Sequence, residues 1–281
     1  CRGWGVLIMS SHREHYICGD THDRVDLPKI QNWASNKSEK ILFQLGDFGG
    51  LFYEKDNKKL WLKDNKLLRD WLKLGKQHNF TLFVVPGNHE NWDMIDKLPT
   101  KGMFGGIVQY IDVIHPYKNN KTQGRIYFLM RGEVYLIDGI KYFVMGGANT
   151  HKSFAGETDR DGEQICWSRE IPSFGEYKNA MINFKRHDYN VDVILSHTTN
   201  ANIGYQTMVA KYGNGAYSQS IDFDKVDDPL TRFFTSLSKH KKVRYKSWYF
   251  GHFHHDCIIR DLEDDRHYEC HYNKSPKLIN I

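Results

Sequence analysis

Short apolar runs alternate with helical stretches along most of the chain. Three of these runs, at residues 15–18, 40–45 and 80–85, are apolar at nearly every position. A strand that is covered on both faces has this pattern, because neither of its alternating sets of side chains meets water. The pattern therefore predicts three buried strands in the sheet of an α/β protein.

Helical periodicity separates these strands. Between the second and third strands, apolar residues recur at spacings of three, four and seven, which predicts an amphipathic helix packed on the sheet through Leu60, Trp61, Leu67, Leu68, Trp71 and Leu72. Ser173 followed by Glu176 fits a capping box, which predicts a helix that ends near His187. We expect another helix at 227–237, and further strands at 107–114, 125–130, 133–137, 141–144, 191–195, 246–250, 257–260 and 267–272.

The domain organisation predicted from the sequence is simple. The chain has no internal repeat and no linker-like segment, so we expect one domain over residues 9–281. Cys1 is not a start residue, whereas Met9 could be one. We therefore interpret residues 1–8 as a non-native or extension segment.

Composition and charge narrow the class of protein. Hydrophobic residues make up 40% of the 281 residues and aromatic residues 14%, which indicates a folded core rather than disorder. No apolar run approaches the roughly 18 residues that a membrane span needs. The net charge of +5 comes from lysines that are scattered along the chain. This charge distribution does not support nucleic acid as a partner, but it does not exclude it. The five cysteines are widely spaced without a CxxC motif, which favours a reducing, cytoplasmic setting.

Ligand-type side chains follow five of the predicted strands, each at the strand's carboxyl end. In open α/β sheets the loops at this edge converge on one site, so we expect these side chains to lie close together. They are Asp20 and His22, Asp47, Asn88 and His89, His197, and His252 and His254.

The donor types indicate the metal chemistry. Carboxylate, amide and imidazole donors without a thiolate suit manganese, iron or zinc in a reactive site better than a structural zinc site. Seven of these side chains, all except His89, are candidate ligands. That number exceeds what one tetrahedral ion takes, but it fits two ions that share a bridging carboxylate. Two ions about 3.5–4 Å apart clamp a phosphoryl group and lower the pKa of a bridging water, so that hydroxide attacks in line.

Five sequence blocks resemble those of the calcineurin-like metallophosphoesterase superfamily. They are Gly19-Asp20-Thr21-His22, Gly46-Asp47, Gly87-Asn88-His89-Glu90, Ser196-His197 and Gly251-His252-Phe253-His254. The middle region resembles that of small stand-alone phosphoesterases of bacteria and phages, through Arg131-Gly132, Gly146-Gly147-Ala148, Trp167-Ser168-Arg169-Glu170 and Ile171-Pro172-Ser173. The five blocks come in the family's order. The resemblance implies a two-sheet β-sandwich flanked by helices, and hydrolysis of phosphomonoesters or phosphodiesters.

The resemblance also implies a role for each residue. A first metal ion would be held by Asp20, His22 and His254, and a second by Asn88, His197 and His252, with Asp47 bridging the two. His89 would bind no metal; it would protonate the leaving-group oxygen or stabilise the phosphoryl charge. The expected ions are two Mn²⁺, with iron, zinc or nickel as alternatives.

One departure from the family narrows the subgroup. Serine/threonine protein phosphatases of this superfamily carry an arginine shortly after the aspartate of the second block, where it contacts the substrate phosphate. Here Asp47 is followed by Phe48, Gly49 and Gly50, which disfavours a protein phosphatase of that type. Arg131 is a candidate for the phosphate contact, with a surface role as the alternative.

Two other functions stay open. A nuclease or cyclic-nucleotide phosphodiesterase would use the same residues. A metal-binding interaction module that has lost catalysis is disfavoured, because neither a ligand nor His89 is missing. We expect substrate specificity to reside in two polar loops, residues 150–164 and 198–220, where Tyr205, Tyr212 and Tyr217 could stack a nucleobase or simply pack.

Overall fold

The computed structural model describes residues 13–21, 27–34, 39–50, 66–114, 122–149, 167–213, 228–260 and 266–279. Helices and two sheets make up most of these ranges. The helices are α1 (Leu27–Trp33), α2 (Lys66–Gln77), α3 (Trp92–Ile95), α4 (Phe174–Arg186), α5 (Ala201–Tyr212) and α6 (Pro229–Ser238).

The first sheet has a parallel centre. Its strands are β1 (Glu14–Cys18), β2 (Lys40–Gln44), β3 (Phe80–Val84), β4 (Thr100–Met103), β5 (Gly106–Ile114), β6 (Thr122–Leu129) and β13 (Lys277–Leu278). They lie in the order β13-β1-β2-β3-β6-β5-β4. The strands β1, β2, β3 and β6 are parallel, while β13 and β5 pair antiparallel with β1 and β6.

The second sheet repeats this arrangement with fewer strands. It contains β7 (Val134–Ile137), β8 (Ile140–Met145), β9 (Val193–Ser196), β10 (Ser247–Phe250), β11 (Cys257–Arg260) and β12 (His267–Cys270). The order is β11-β12-β10-β9-β8-β7, and the four inner strands are parallel. The two outer strands of this sheet pair antiparallel with their neighbours.

Alternating side chains on the strands fill two different layers. On β2 and just after it, Ile41, Phe43 and Leu45 pack between the sheets, whereas Leu42 packs toward the helices. Every residue of β2 is buried, which explains why its sequence is apolar without alternation. The ring of Phe43 stacks on Phe83 of β3, with centroids 5.6 Å apart.

Helices cover the outer face of each sheet. Trp71 of α2 packs in the apolar layer outside the first sheet, and Phe184 of α4 and Phe234 of α6 pack outside the second. The resulting layers are helix, sheet, sheet and helix. This arrangement confirms the predicted α/β fold with a two-sheet sandwich flanked by helices.

Most predicted elements agree with the structure, and one prediction is wrong. The segment 198–220, interpreted as a loop, contains helix α5, whose first turn is capped by the Asn200 side chain accepting the N–H of Ile203 at 3.0 Å. Its apolar residues form no stripe, and Gly204 and Thr207 are among its buried positions. Apolar periodicity therefore gave no signal for this helix.

Some of the sequence predictions fall outside the described residues. These are the segments 1–8 and 150–164, the apolar positions Leu60 and Trp61, and Tyr217. Among the helices that the structure describes, none is both long and apolar enough to cross a membrane.

Candidate metal centre

Side chains from both sheets meet beyond the carboxyl ends of five parallel strands. Loops at this edge of a parallel sheet are held by rigid strands, which positions their side chains with little freedom. The residues are Asp20, Asp47 and Asn88, after β1, β2 and β3, and His197, His252 and His254, after β9 and β10.

The residues Asp20, Asp47 and His197 form the middle of this group. All three are buried, and one potential ligand atom from each lies within 4.8 Å of the others. The Nε2 atom of His197 is 3.4 Å from Oδ1 of Asp47, and its Nδ1 atom is 3.8 Å from Oδ1 of Asp20. Two carboxylates and an imidazole at such distances have the donor types and spacing of a divalent-metal site.

The hydrogen bonds of His197 determine which ring nitrogen can bind a metal. Its Nδ1 atom is 2.7 Å from the carbonyl oxygen of Leu45, and its Nε2 atom is 2.9 Å from Oδ1 of Asn88. A carbonyl oxygen only accepts, so Nδ1 carries a proton. In the neutral ring, Nε2 therefore directs its lone pair toward Asn88 and Asp47. Metal-binding histidines are commonly oriented in this way, by a carbonyl on the second nitrogen.

One oxygen of Asp20 receives no hydrogen bond from the part of the chain that the structure describes. Its Oδ1 accepts the backbone N–H of His252 at 3.0 Å. Its Oδ2 is fully buried and accepts no hydrogen bond from the described residues, although Nε2 of His254 lies 3.2 Å away. An unsatisfied buried acceptor costs about 1–3 kcal/mol, and more when it is charged. A divalent cation beside Asp20 and His254 would remove that cost, so the residues present fit a metal ion.

Charge coupling within the cluster shifts two pKa values in opposite directions. Burial opposes the charge on Asp47, but the positive charge of His197 outweighs it and lowers the pKa of Asp47 well below its usual range. Burial likewise opposes the charge on His197, yet Asp47 and Asp20 together raise the pKa of His197 to about 9. Without metal, a proton on His197 thus partly balances the two carboxylates.

Three of the candidate ligands have a left-handed backbone. The φ angles are 49° at Asp47, 69° at His252 and 50° at His254. Residues other than glycine seldom adopt this conformation, and it costs of order 1–3 kcal/mol at each position. Sharp turns directly after β2 and β10 impose it, and they bring these side chains back over the strand ends.

Two glycines allow the backbone to approach the carboxylates closely. A Cβ atom on Gly87 would lie 2.2 Å from Oδ1 of Asp47. A Cβ atom on Gly251 would lie 2.2 Å from Oδ1 of Asp20 and 2.9 Å from the Leu45 carbonyl oxygen. Any larger residue at either position would displace a candidate ligand.

A buried carboxyl group that sequence reasoning left without a role supports the site. The Oε1 atom of Glu90 accepts the N–H of Phe48 at 2.7 Å and the N–H of Gly87 at 3.4 Å, so it joins the loops after β2 and β3. Burial, and then the negative charge of Asp47, raise the pKa of Glu90 to about 8. Glu90 belongs to the quoted third block, but its two backbone partners are evident only in three dimensions.

The remaining predicted site residues are placed differently. His22 lies outside the described residues, so its part in the site stays a prediction. The backbone N–H of His89 donates to Oδ1 of Asp47 at 2.9 Å, which fixes His89 next to the cluster. Its role as an acid is also a prediction.

The surroundings of Arg131 give no support to a phosphate contact. Arg131 is only 4% exposed, and its two terminal nitrogens donate to the carbonyl oxygens of Arg169 and Glu170 at 2.7 and 2.8 Å. Its guanidinium also lies 3.7 Å above the Trp92 ring. The side chain thus anchors the short 3₁₀ helix Ser168–Glu170 to the turn before β7.

Comparisons with known proteins point to one family. The sequence model described as calcineurin-like phosphoesterase matches residues 16–256, a span that contains all the candidate ligands. A search of curated proteins gives no match. A solved structure, phosphopantetheinyl hydrolase from Mycobacterium tuberculosis, is similar with a TM-score of 0.45 and 12% identity, covering 95% of this chain and 96% of that chain. A likeness this distant carries no inference about the substrate.

Replacing Gly251 tests the close approach to Asp20. We expect Gly251→Ala to weaken Mn²⁺ binding by roughly 10–100-fold, because the new methyl group displaces a carboxylate that binds the ion. Isothermal titration calorimetry measures the affinity. Gly102→Ala is the matched control, since a Cβ there has no neighbour within 4 Å. Equal affinities in the two variants would contradict the assignment of Asp20.

The raised pKa of His197 predicts that metal binding releases a proton. Below about pH 9 the metal-free ring is protonated, and a metal ion must displace the proton at Nε2. The apparent affinity should therefore rise with pH, by about tenfold per pH unit from neutrality, and level off above the pKa. Calorimetry in buffers of different ionisation enthalpy counts the released protons. A buffer-independent binding heat at neutral pH would refute this account.

Proposed function

Because the chain belongs to the calcineurin-like phosphoesterase family, we propose that it hydrolyses phosphate monoesters or diesters at a centre of two divalent metal ions. Members of the family are metal-dependent phosphoester hydrolases, and this chain is therefore a hydrolase of that kind. The observation that carries the two-ion proposal is the buried group of Asp20, Asp47 and His197 at the converging strand ends. An Asp20 oxygen to which no described residue donates a hydrogen bond lies at its edge.

The proposed division of ligands agrees with the observed neighbours. Asp20 and His254, assigned to one ion, are 3.2 Å apart, and Asn88 and His197, assigned to the other, are 2.9 Å apart. Asp47 lies beside His197 and is proposed as the bridging ligand. His22 would complete the first set and His252 the second. The nitrogen and oxygen donors favour Mn²⁺, with iron, zinc or nickel as alternatives.

The chain's own residues would divide the chemistry as follows. The two ions, when bound, would neutralise phosphoryl charge and activate a water molecule. His89 would donate a proton to the leaving-group oxygen, and its backbone bond to Asp47 holds it next to the bridging ligand. Glu90 keeps the loops that carry Asp47 and Asn88 together.

The choice between monoester and diester substrates is an experimental one. The substrates to assay are nucleotides, cyclic nucleotides, phosphopeptides and single-stranded DNA, each with manganese, nickel and zinc. The DNA and the cyclic nucleotides also test the nuclease and cyclic-nucleotide phosphodiesterase alternatives. A purified, metal-loaded chain that is inactive on every ester would favour the non-catalytic module instead.

Neutralising the bridging carboxylate should nearly abolish turnover. We expect Asp47→Asn to lower kcat on an aryl phosphate by roughly 10³-fold or more, because a neutral amide bridges two cations poorly. Additional manganese should restore little of the activity. Asp70→Asn on α2 removes the same charge outside the cluster and serves as the control. Activity in Asp47→Asn that returns to the control level with added metal would argue against a bridging role.

Removing the proposed acid should affect poor leaving groups most. His89→Ala should cost roughly 10²–10⁴-fold with esters of weakly acidic alcohols, and much less with nitrophenyl esters, whose leaving groups need no proton. A leaving-group series measured as kcat/KM gives this dependence. His78→Ala, just beyond α2, is a control histidine outside the cluster. A uniform loss across the series would exclude the acid role.

A further inference from the structure

An aromatic ring outside the family's matched span lies flat on one of the proposed ligands. The rings of Tyr272 and His254 stack with centroids 4.6 Å apart and an angle of 11° between their planes. Among the described candidate ligands, His254 is set apart by its exposure, with 44% of its side chain accessible, whereas Asp20 is fully buried. Tyr272 thus covers one face of the least buried of the described candidate ligands.

The backbone of Tyr272 is itself firmly held. The carboxylate of Asp256 accepts the N–H groups of Tyr272 and Asn273, at 2.9 and 3.0 Å. From helix α1, Nζ of Lys29 donates to the Tyr272 carbonyl oxygen at 2.6 Å and reaches the Asp20 carbonyl oxygen at 3.4 Å. These contacts tie the tyrosine to the same loop that carries Asp20.

The position of Tyr272 follows from the sheet order. It comes just after β12, which is parallel to β10, and His254 comes just after β10. The loop after β12 therefore lies at the same edge, next to the loop of the two histidines. It also packs tightly on the loop after β1, because a Cβ on Gly19 would lie 1.9 Å from the His271 carbonyl oxygen.

We propose that Tyr272 is a positioning residue, which holds the His254 imidazole in the orientation that binds the metal shared with Asp20. This inference rests on the proposed function, because it assigns His254 as a ligand. A half-exposed side chain on a strained turn would otherwise sample several rotamers, and binding would have to order it. Stacking against a fixed aromatic ring selects one orientation before the metal arrives.

The test measures metal affinity in the full chain, stripped of metal and titrated with Mn²⁺ in competition with a fluorescent chelator. Tyr272→Leu should weaken one of the two metal equivalents by about tenfold or more, as changes next to a metal ligand commonly do. Tyr272→Phe keeps the ring and should bind within about twofold of the original chain. Tyr189→Leu is the matched control, because Tyr189 stacks on His240, with centroids 5.4 Å apart, outside the cluster.

A double-mutant cycle separates positioning from general damage. If Tyr272 acts through His254, Tyr272→Leu should cause no further loss of affinity in a His254→Ala background. An equal loss in both backgrounds would overturn the inference, as would unchanged affinity in Tyr272→Leu. If that variant does not fold, Tyr272→Met takes its place, since methionine fills similar space without a ring.

Failure of the proposed function and failure of the role of Tyr272 give different results. An original chain that binds no divalent metal would overturn the proposed function and this inference with it. An original chain that binds two ions and hydrolyses esters, together with a Tyr272→Leu variant of equal affinity, would overturn the inference alone.

Discussion

The burial of two carboxylates beside one imidazole is the constraint on which the rest of the site depends. Asp20 and Asp47 are both removed from solvent, and their negative charges need a positive partner in the interior. An unpaired buried charge costs several kcal/mol, so the protein must supply either a proton on His197 or a cation. The left-handed turn at Asp47 and the close contacts of Gly87 and Gly251 hold the two carboxylates in this position.

The two-sheet frame makes this concentration of charge and strain tolerable. Parallel strands from both sheets end at the same edge, and the close-packed aromatic layer between the sheets, where Phe43 of β2 packs against Tyr142 of β8 with ring centroids 4.8 Å apart, fixes their relative position. The loops can therefore hold unfavourable backbone angles without relaxing. Glu90 adds a polar link of the same kind, since one carboxyl oxygen joins two loops through their N–H groups.

Much of this arrangement was predictable from sequence because two local rules apply. Strands buried on both faces are continuously apolar, and parallel strands bring their carboxyl ends to a common edge. Together these rules predicted β1, β2 and β3 and the convergence of Asp20, Asp47 and Asn88. His197 follows β9 of the second sheet, so its place in the cluster depends on how the two sheets pack.

Other features depend on tertiary contacts that leave no local signal. The buried residues of helix α5 are Ala201, Ile203, Gly204 and Thr207, of which only Ile203 is large and apolar, so its sequence shows no apolar stripe. Arg131 was a candidate for a phosphate contact, yet it donates to two backbone carbonyls far along the chain. The stack of Tyr272 on His254 requires β12 to lie beside β10 in the sheet. The order of strands in a sheet cannot be read from the spacing of residues in the sequence.

The hydrogen bond from His252 to Asp20 joins residues 232 positions apart. The carboxylate is therefore among the first parts of the site to leave the ribosome, and the two histidines after β10 are among the last. Because the centre draws on both sheets, a nascent chain that stops short of β10 has the carboxylates without half of their partners. A nascent chain therefore cannot assemble this group of side chains until the loop after β10 has been made.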